Sequence, residues 1–166
     1  TPAIRAVAST DLDVRIVATV TPSSAEESAA LQGIDVGRLL RTIVIRRGAD
    51  DYVFVLVPGG RQIDWKKLRT LLGERRLSLP DATEARAATG YERGAITPFG
   101  STSAWPVIAD VTIRGLGIVA MWLVVALISL LIRFFRRAVQ PTLIKSQPSI
   151  REHVLAAEAV VLGRRD

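Results

Sequence analysis

Between Gly90 and Asp110 the sequence reads GYERGAITPFGSTSAWPVIAD, rich in Gly, Pro, Thr and Ser and nearly empty of groups that titrate near neutral pH. Gly94 and Gly100 permit positive φ or close backbone approach, while Pro98 fixes its own φ and pushes Thr97 into an extended conformation. The chemical resource of such a loop is its backbone N–H groups. Two readings stay open: the loop presents those donors to a ligand, or it is a rigid connector. Other candidates for chemistry are sparse. The chain has no Cys, which excludes thiol catalysis, cysteine-ligated metals and disulfides. Its one His, His153, has no carboxylate or second His at ligand spacing, so neither a metal site nor a triad is expected. Asp50 and Asp51 read as turn residues whose side chains diverge into water. Gly59-Gly60 is followed by neither of the spacings that make a phosphate loop. No cofactor is expected.

Charge is the second resource. Lys and Arg outnumber Asp and Glu by 22 to 16 in 166 residues, a formal charge of +6. A basic balance of this size favours a polyanionic partner, either RNA or an anionic membrane. The sets Arg46-Arg47, Lys66-Lys67-Arg69 and Arg75-Arg76 form a rim facing that partner or are solvated faces.

These residues need a scaffold, and the sequence up to Arg114 reads as an alternation of helices and strands. Ser24 with Glu27 three residues on is a capping box, and Gly33 stops the short helix it opens. LLRTIVIRR and DYVFVLVPGG are β-branched runs joined by GAD, a hairpin of residues 39–46 and 51–57. Val53, Val55 and Val57 alternate with Phe54 and Leu56, so both faces of the second strand are apolar and the hairpin belongs at the centre of a sheet. Asp64 caps a helix whose Trp65, Leu68, Leu71 and Leu72 share a face and which ends at Gly73. LSL, residues 77–79, is a short strand, Asp81 and Glu84 open a second boxed helix that ends before Gly90, and WPVIAD is strand-like. The fold class is α+β.

The segments SAEESAALQGI, LLRTIVIRRGADDYVFVLVPGG and TGYERGAITPFGS with WPVIAD, in that order, resemble the YbaK/prolyl-tRNA synthetase-associated editing-domain family over about residues 15–113. The resemblance implies a curved mixed or antiparallel sheet flanked by helices. It also implies an aminoacyl-tRNA deacylase, free-standing or synthetase-fused, that hydrolyses the ester of a wrong amino acid, Ala or Cys, on the 3′-terminal ribose. Such an ester is already activated, so backbone donors that position water and stabilise the oxyanion suffice. By the resemblance, Gly94, Ala95, Ile96, Thr97 and Pro98 match the loop that holds the ester, and Phe99 and Gly100 continue it. Ala95 stands where a second Gly is common, which narrows the pocket. The Lys-Thr pair of the family is here Arg41-Thr42. Arg41 keeps the charge near the tRNA 3′ end but is never deprotonated, so anchoring survives and proton transfer does not. Arg46, Arg47, Lys66, Lys67 and Arg69 are the expected tRNA contacts.

Composition changes after Arg114. Gly115 to Ile132 carries no charge and is followed by RFFRR. The reading is therefore an editing domain over 1–114, a continuous apolar helix within 115–137, and a basic tail with a short helix over 138–166. Length and flank charge fit a membrane span of about 18–20 residues. Its basic flank would lie in the cytoplasm, leaving the preceding domain on the side away from tRNA. A shifted reading frame is a second account, since G-ending codons for Trp122 to Ala126 contain Ala-Gly-Gly-Gly in the neighbouring frame. A buried helix is a third. The first twenty residues carry no secretory signal. A deacylase acting on tRNA, with or without a synthetase partner, implies a cytoplasmic location. The alternative is an inactive tRNA-binding or membrane-tethered module, anchored only if 115–132 is a genuine span.

Overall fold

The computed structural model describes residues 1–10, 12–18, 22–123 and 128–133. Helix α1 (Pro2–Ala8), strand β1 (Asp13–Ala18) and helix α2 (Ala25–Leu31) precede strands β2 (Leu39–Gly48) and β3 (Asp51–Pro58). Helices α3 (Trp65–Leu72) and α4 (Ala82–Thr89) follow, then strands β4 (Val107–Ala109), β5 (Ile118–Leu123) and β6 (Ile128–Arg133). The strands make one open sheet in the order β1-β6-β5-β2-β3-β4. Pairs β2–β3, β5–β6 and β1–β6 are antiparallel, whereas β2–β5 and β3–β4 are parallel. This is the mixed α+β sheet flanked by helices that the sequence leads one to expect, with the hairpin inside it.

Local chemistry sets the helix boundaries. The side chains of Ser24, Asp64 and Asp81 accept from the N–H groups of Glu27, Lys67 and Glu84 at 3.1, 3.0 and 2.8 Å. Each such cap is worth about 1 kcal/mol. Gly73 and Gly90 close α3 and α4 in the left-handed region, at φ of 68° and 76°. The second box is only half formed. Glu84 does not turn back on Asp81, because its carboxylate is taken by the Tyr52 hydroxyl at 2.7 Å and by Arg46 Nη1 at 3.1 Å. Charge-assisted bonds of this kind outweigh a second cap bond.

Both faces of β3 are buried, as its unbroken apolarity requires. Val53, Val55 and Val57 pack with Ile45 and with Leu68 of α3, all at most 1% exposed. Phe54 packs on the other face with Val44, Tyr52 and Ala88 of α4. On that same face Leu40, Tyr91, Ile113, Val119 and Met121 pack with Ala3 and Val7 of α1.

Three expectations give way. LSL makes no strand, only a single antiparallel bridge between Arg46 and Ser78. Asp51 does not simply point into water; its carboxylate accepts from Arg47 at 2.7 Å across the turn. Above all, the apolar run after Arg114 is not a continuous helix, because residues 118–123 and 128–133 are strands paired into the main sheet. Val119 and Ala120 point to opposite faces and both are fully buried. A strand covered on both sides reads as unbroken apolarity, which periodicity cannot distinguish from a helix. No helix among the described residues is long and apolar enough to cross a membrane. Residues 124–127 and 134–137 of the expected helix, and the tail over 138–166 with His153, lie outside the described residues.

Candidate functional site

Strand alternation decides which predicted site residues can meet. Arg41 pairs with Val57 and Thr42 with Leu56. Residues opposite each other in an antiparallel pair share a face. Val57 belongs to the core under α3, whereas Leu56 packs toward α1 and Tyr91. Arg41 and Thr42 therefore lie on opposite sides of the sheet.

The 94–100 loop covers the Thr42 side. Ile96 packs against the cluster that holds Leu40 and against the one that holds Val44, the residues flanking Thr42 on that face. On that face the Thr42 Oγ1 is buried with no hydrogen-bond partner among the described residues. Isolated burial of a hydroxyl costs about 1–3 kcal/mol, so this atom is a place where a ligand atom would be stabilised.

Not every expected backbone donor is free. Ala95 N–H donates to Glu92 O at 2.9 Å, and Phe99 N–H to the Thr97 hydroxyl at 3.3 Å, while Pro98 has none. Among the described residues the N–H groups of Gly94, Ile96, Thr97 and Gly100 have no partner. Thr97 is fully buried, whereas Gly94 and Gly100 are exposed and Ile96 is half-buried. The loop is held from below by Tyr91, whose hydroxyl donates to Phe99 O at 2.7 Å. Burial pushes the Tyr91 phenol above its ordinary range, against the opposing effect of a backbone bond at Ala3. Gly100, at φ 68°, lies so close to α1 that a Cβ would stand 2.6 Å from the Pro2 carbonyl. Gly94, at φ 91°, meets nothing within 4 Å, so its requirement is conformational.

On the α3 side Arg41 joins a polar set. Its Nη2 donates to the Arg61 carbonyl oxygen, and the Arg61 guanidinium stands 3.8 Å from the Asp110 carboxylate. Asp110 is 2% exposed. Its Oδ1 accepts from Thr112 N–H at 2.8 Å and from the Thr112 hydroxyl, and its Oδ2 is buried with no partner. Arg61 and Asp110 were not singled out in the sequence. The Asp-x-Thr spacing of a capped turn was the available signal for Asp110, but it reports a cap and not the arginine opposite.

The two halves meet at one level of β2. On its outer edge β2 pairs with β5 only at Leu39 and Leu40, and the next bridge is Arg46 to Ser78. From Thr42 to Val44 that edge has no strand partner among the described residues.

Of the expected tRNA contacts, Arg46, Arg47 and Arg69 line one groove together with Arg75, Arg76 and Ser78. Lys66 and Lys67 lie apart on the exposed side of α3, with Lys67 Nζ 4.0 Å from Asp64. No group of three or more His, Cys, Asp or Glu among the described residues is placed to hold a metal ion.

Comparison with known proteins sets this arrangement in a family. The family model described as the aminoacyl-tRNA editing domain matches residues 21–121, past the boundary that the sequence suggests at Arg114. Over 83 residues the chain is 32% identical to the candidate Cys-tRNA(Pro)/Cys-tRNA(Cys) deacylase EbsC of Enterococcus faecalis, covering 50% of this chain and 51% of that protein. It is 29% identical over 99 residues to the proline–tRNA ligase of Thermosipho melanesiensis, covering 60% of this chain and 17% of the ligase. The chain thus spans about half the length of the first of these relatives and a smaller part of the second. Its fold is similar to the crystal structure of a candidate trans-editing enzyme for prolyl tRNA synthetase, at TM-score 0.63 and 23% identity, covering 81% of this chain and 87% of that one. With the model matched over more than half of its length, the chain belongs to the aminoacyl-tRNA editing domain family.

Proposed function

We propose that this domain hydrolyses the ester between a small amino acid, Cys or Ala, and the 3′-terminal ribose of a mischarged tRNA. The observation that carries the reading is the buried Thr42 hydroxyl, unpartnered among the described residues, on the face of the sheet that Ile96 packs against, in a loop whose Gly94 and Ile96 N–H groups have no partner there. Water attacks the ester carbonyl, and the oxyanion is stabilised by backbone donors of the loop. Collapse breaks the bond to the ribose oxygen, which takes a proton from the attacking water, releasing free amino acid and tRNA. Ala95 and the Ile96 side chain narrow the space around the substrate, in keeping with a small side chain. Arg41, fixed in charge, anchors the acceptor end from the other face of the sheet. The names of the relatives support Cys on tRNA(Pro) as the first substrate to try, with prolyl-tRNA synthetase as the source of the error. The site so read needs no metal or cofactor.

The test is release of labelled amino acid from Cys-tRNA(Pro) and Ala-tRNA(Pro), with Pro-tRNA(Pro) as the correctly charged control. Hydrolysis of either mischarged species above the control, reduced about tenfold in Thr42→Val, is expected. Equal rates on all three, or no release from any, removes the proposal.

A further inference from the structure

A strongly basic concavity lies away from the loop. Arg46, Arg47, Arg69, Arg75, Arg76 and Ser78 line a groove of about 480 Å³ at the far end of β2. Among the described residues, acidic side chains neutralise only two of the five arginines: Arg46 holds Glu84 and Arg47 holds Asp51. Arg69, Arg75 and Arg76 have no side-chain partner among the described residues. The Arg47 Nε is buried and likewise without a partner, although its Nη2 is engaged at 2.7 Å. A free guanidinium edge next to three unpaired arginines is an arrangement for oxyanions with several acceptor atoms, phosphates above all.

Arg41 and Arg47 lie six residues apart along β2, or about 20 Å at a rise of about 3.3 Å per residue, with a register irregularity between Arg46 and Gly48. Phosphates along one strand of a nucleic acid helix advance about 3.4 Å per nucleotide. A strand whose end is held at Arg41 therefore presents, at the groove, phosphates on the order of six nucleotides upstream.

We infer that this arginine groove is a phosphodiester-binding site that grips the tRNA acceptor strand roughly six nucleotides from the esterified end. The inference rests on the deacylase reading for its choice of RNA, but the groove is tested without turnover. Uncharged tRNA is titrated onto the protein by fluorescence anisotropy over a range of salt, for the wild type and for a variant with Arg75→Glu and Arg76→Glu. Both positions are exposed and unpaired, so the fold is retained, which circular dichroism checks. A control with Arg5→Glu and Arg114→Glu has the same net charge outside the groove. The groove variant is expected to bind tRNA about tenfold or more weakly, with a salt slope smaller by about 2, and the control much less so. Turnover of an aminoacyl-CCA trinucleotide, too short to reach the groove, is unchanged where turnover exists. A parallel arm follows the Arg47 Nε–H resonance during titration with inorganic phosphate. Equal weakening in groove variant and control means that net charge alone acts, and overturns the inference. So does a groove variant that loses the phosphate response yet binds tRNA normally, because the groove would then serve a small anion. Absence of deacylation on every substrate refutes the proposed function and leaves the binding result to decide the groove.

Discussion

Arg41 and Thr42 are neighbours in the chain and lie on opposite faces of the sheet, the first among the polar groups of Arg61 and Asp110, the second on the face against which Ile96 packs. On the proposed function, a pair that reads as one motif divides its work: the face with the backbone donors holds the ester, and the face with the guanidinium holds the phosphates.

Thr42→Val should separate activity from stability. The substitution replaces a buried hydroxyl that has no partner by a methyl group of similar size, so unfolding free energy stays level or rises. Deacylation should fall about tenfold, about 1.4 kcal/mol, by loss of a bond made only with substrate. Denaturant melts and single-turnover release measure the two, and parallel losses in both would assign Thr42 to the scaffold alone.

Arg41→Ala should act on binding. With its side chain across the sheet from the loop, KM for mischarged tRNA rises while kcat holds, corresponding to about 1.5–3 kcal/mol for a lost charge-assisted contact. A fall in kcat at constant KM would show that the guanidinium reaches the reacting ester.

Tyr52→Phe should remove a pH dependence. The hydrogen bond to Glu84, then burial, raises the Tyr52 phenol from 10.0 to about 12. The folded protein thus holds this proton more tightly than the unfolded chain, so the contribution is complete below pH about 10 and is lost as pH rises to about 12. In the Phe variant that alkaline loss is absent, and neutral stability drops by about 1.5 kcal/mol for a bond to a carboxylate. The ring still meets Trp105 edge-on, at 5.1 Å between centroids. Urea titrations across the alkaline range, beside phenolate absorbance, are the measurement; superimposable curves would dissociate Tyr52 from the effect.

Gly94→Ala and Gly100→Ala should differ in mechanism. At Gly94 the space is open, and the cost is that of left-handed backbone for an L residue, about 1–2 kcal/mol. At Gly100 the same backbone cost is joined by a clash with Pro2, so α1 must shift off the loop and the loss is larger. Amide exchange in α1, accelerated in the second variant and not in the first, distinguishes them. Acceleration in both would mean that α1 responds to loop strain in general.

What can be read from the linear chain here is whatever depends on neighbours within a few residues. The caps at Ser24, Asp64 and Asp81 and the left-handed stops at Gly73 and Gly90 are set by local backbone geometry, and all are legible. So is the hairpin, whose β-branched runs flank a short turn, and so is the two-sided burial of β3. Distant pairing is not legible in that way. Ile118–Leu123 has the same unbroken apolarity whether it is half of a membrane helix or a strand with both faces covered, and pairing with Leu39 and Leu40 settles the matter far along the chain. The same holds for the site. Motif likeness brings Arg41 together with the 94–98 loop, but alternation across a sheet sends Arg41 and Thr42 apart, and which face the loop covers depends on where α1, α4 and Tyr91 pack. Asp110 acquires Arg61 as a neighbour only when β4 docks beside β3, and the arginines of β2, α3 and the segment after it become one groove only when Ser78 bridges to Arg46. Local propensity is a property of short segments, whereas a site is built from contacts whose partners the chain brings together only by folding.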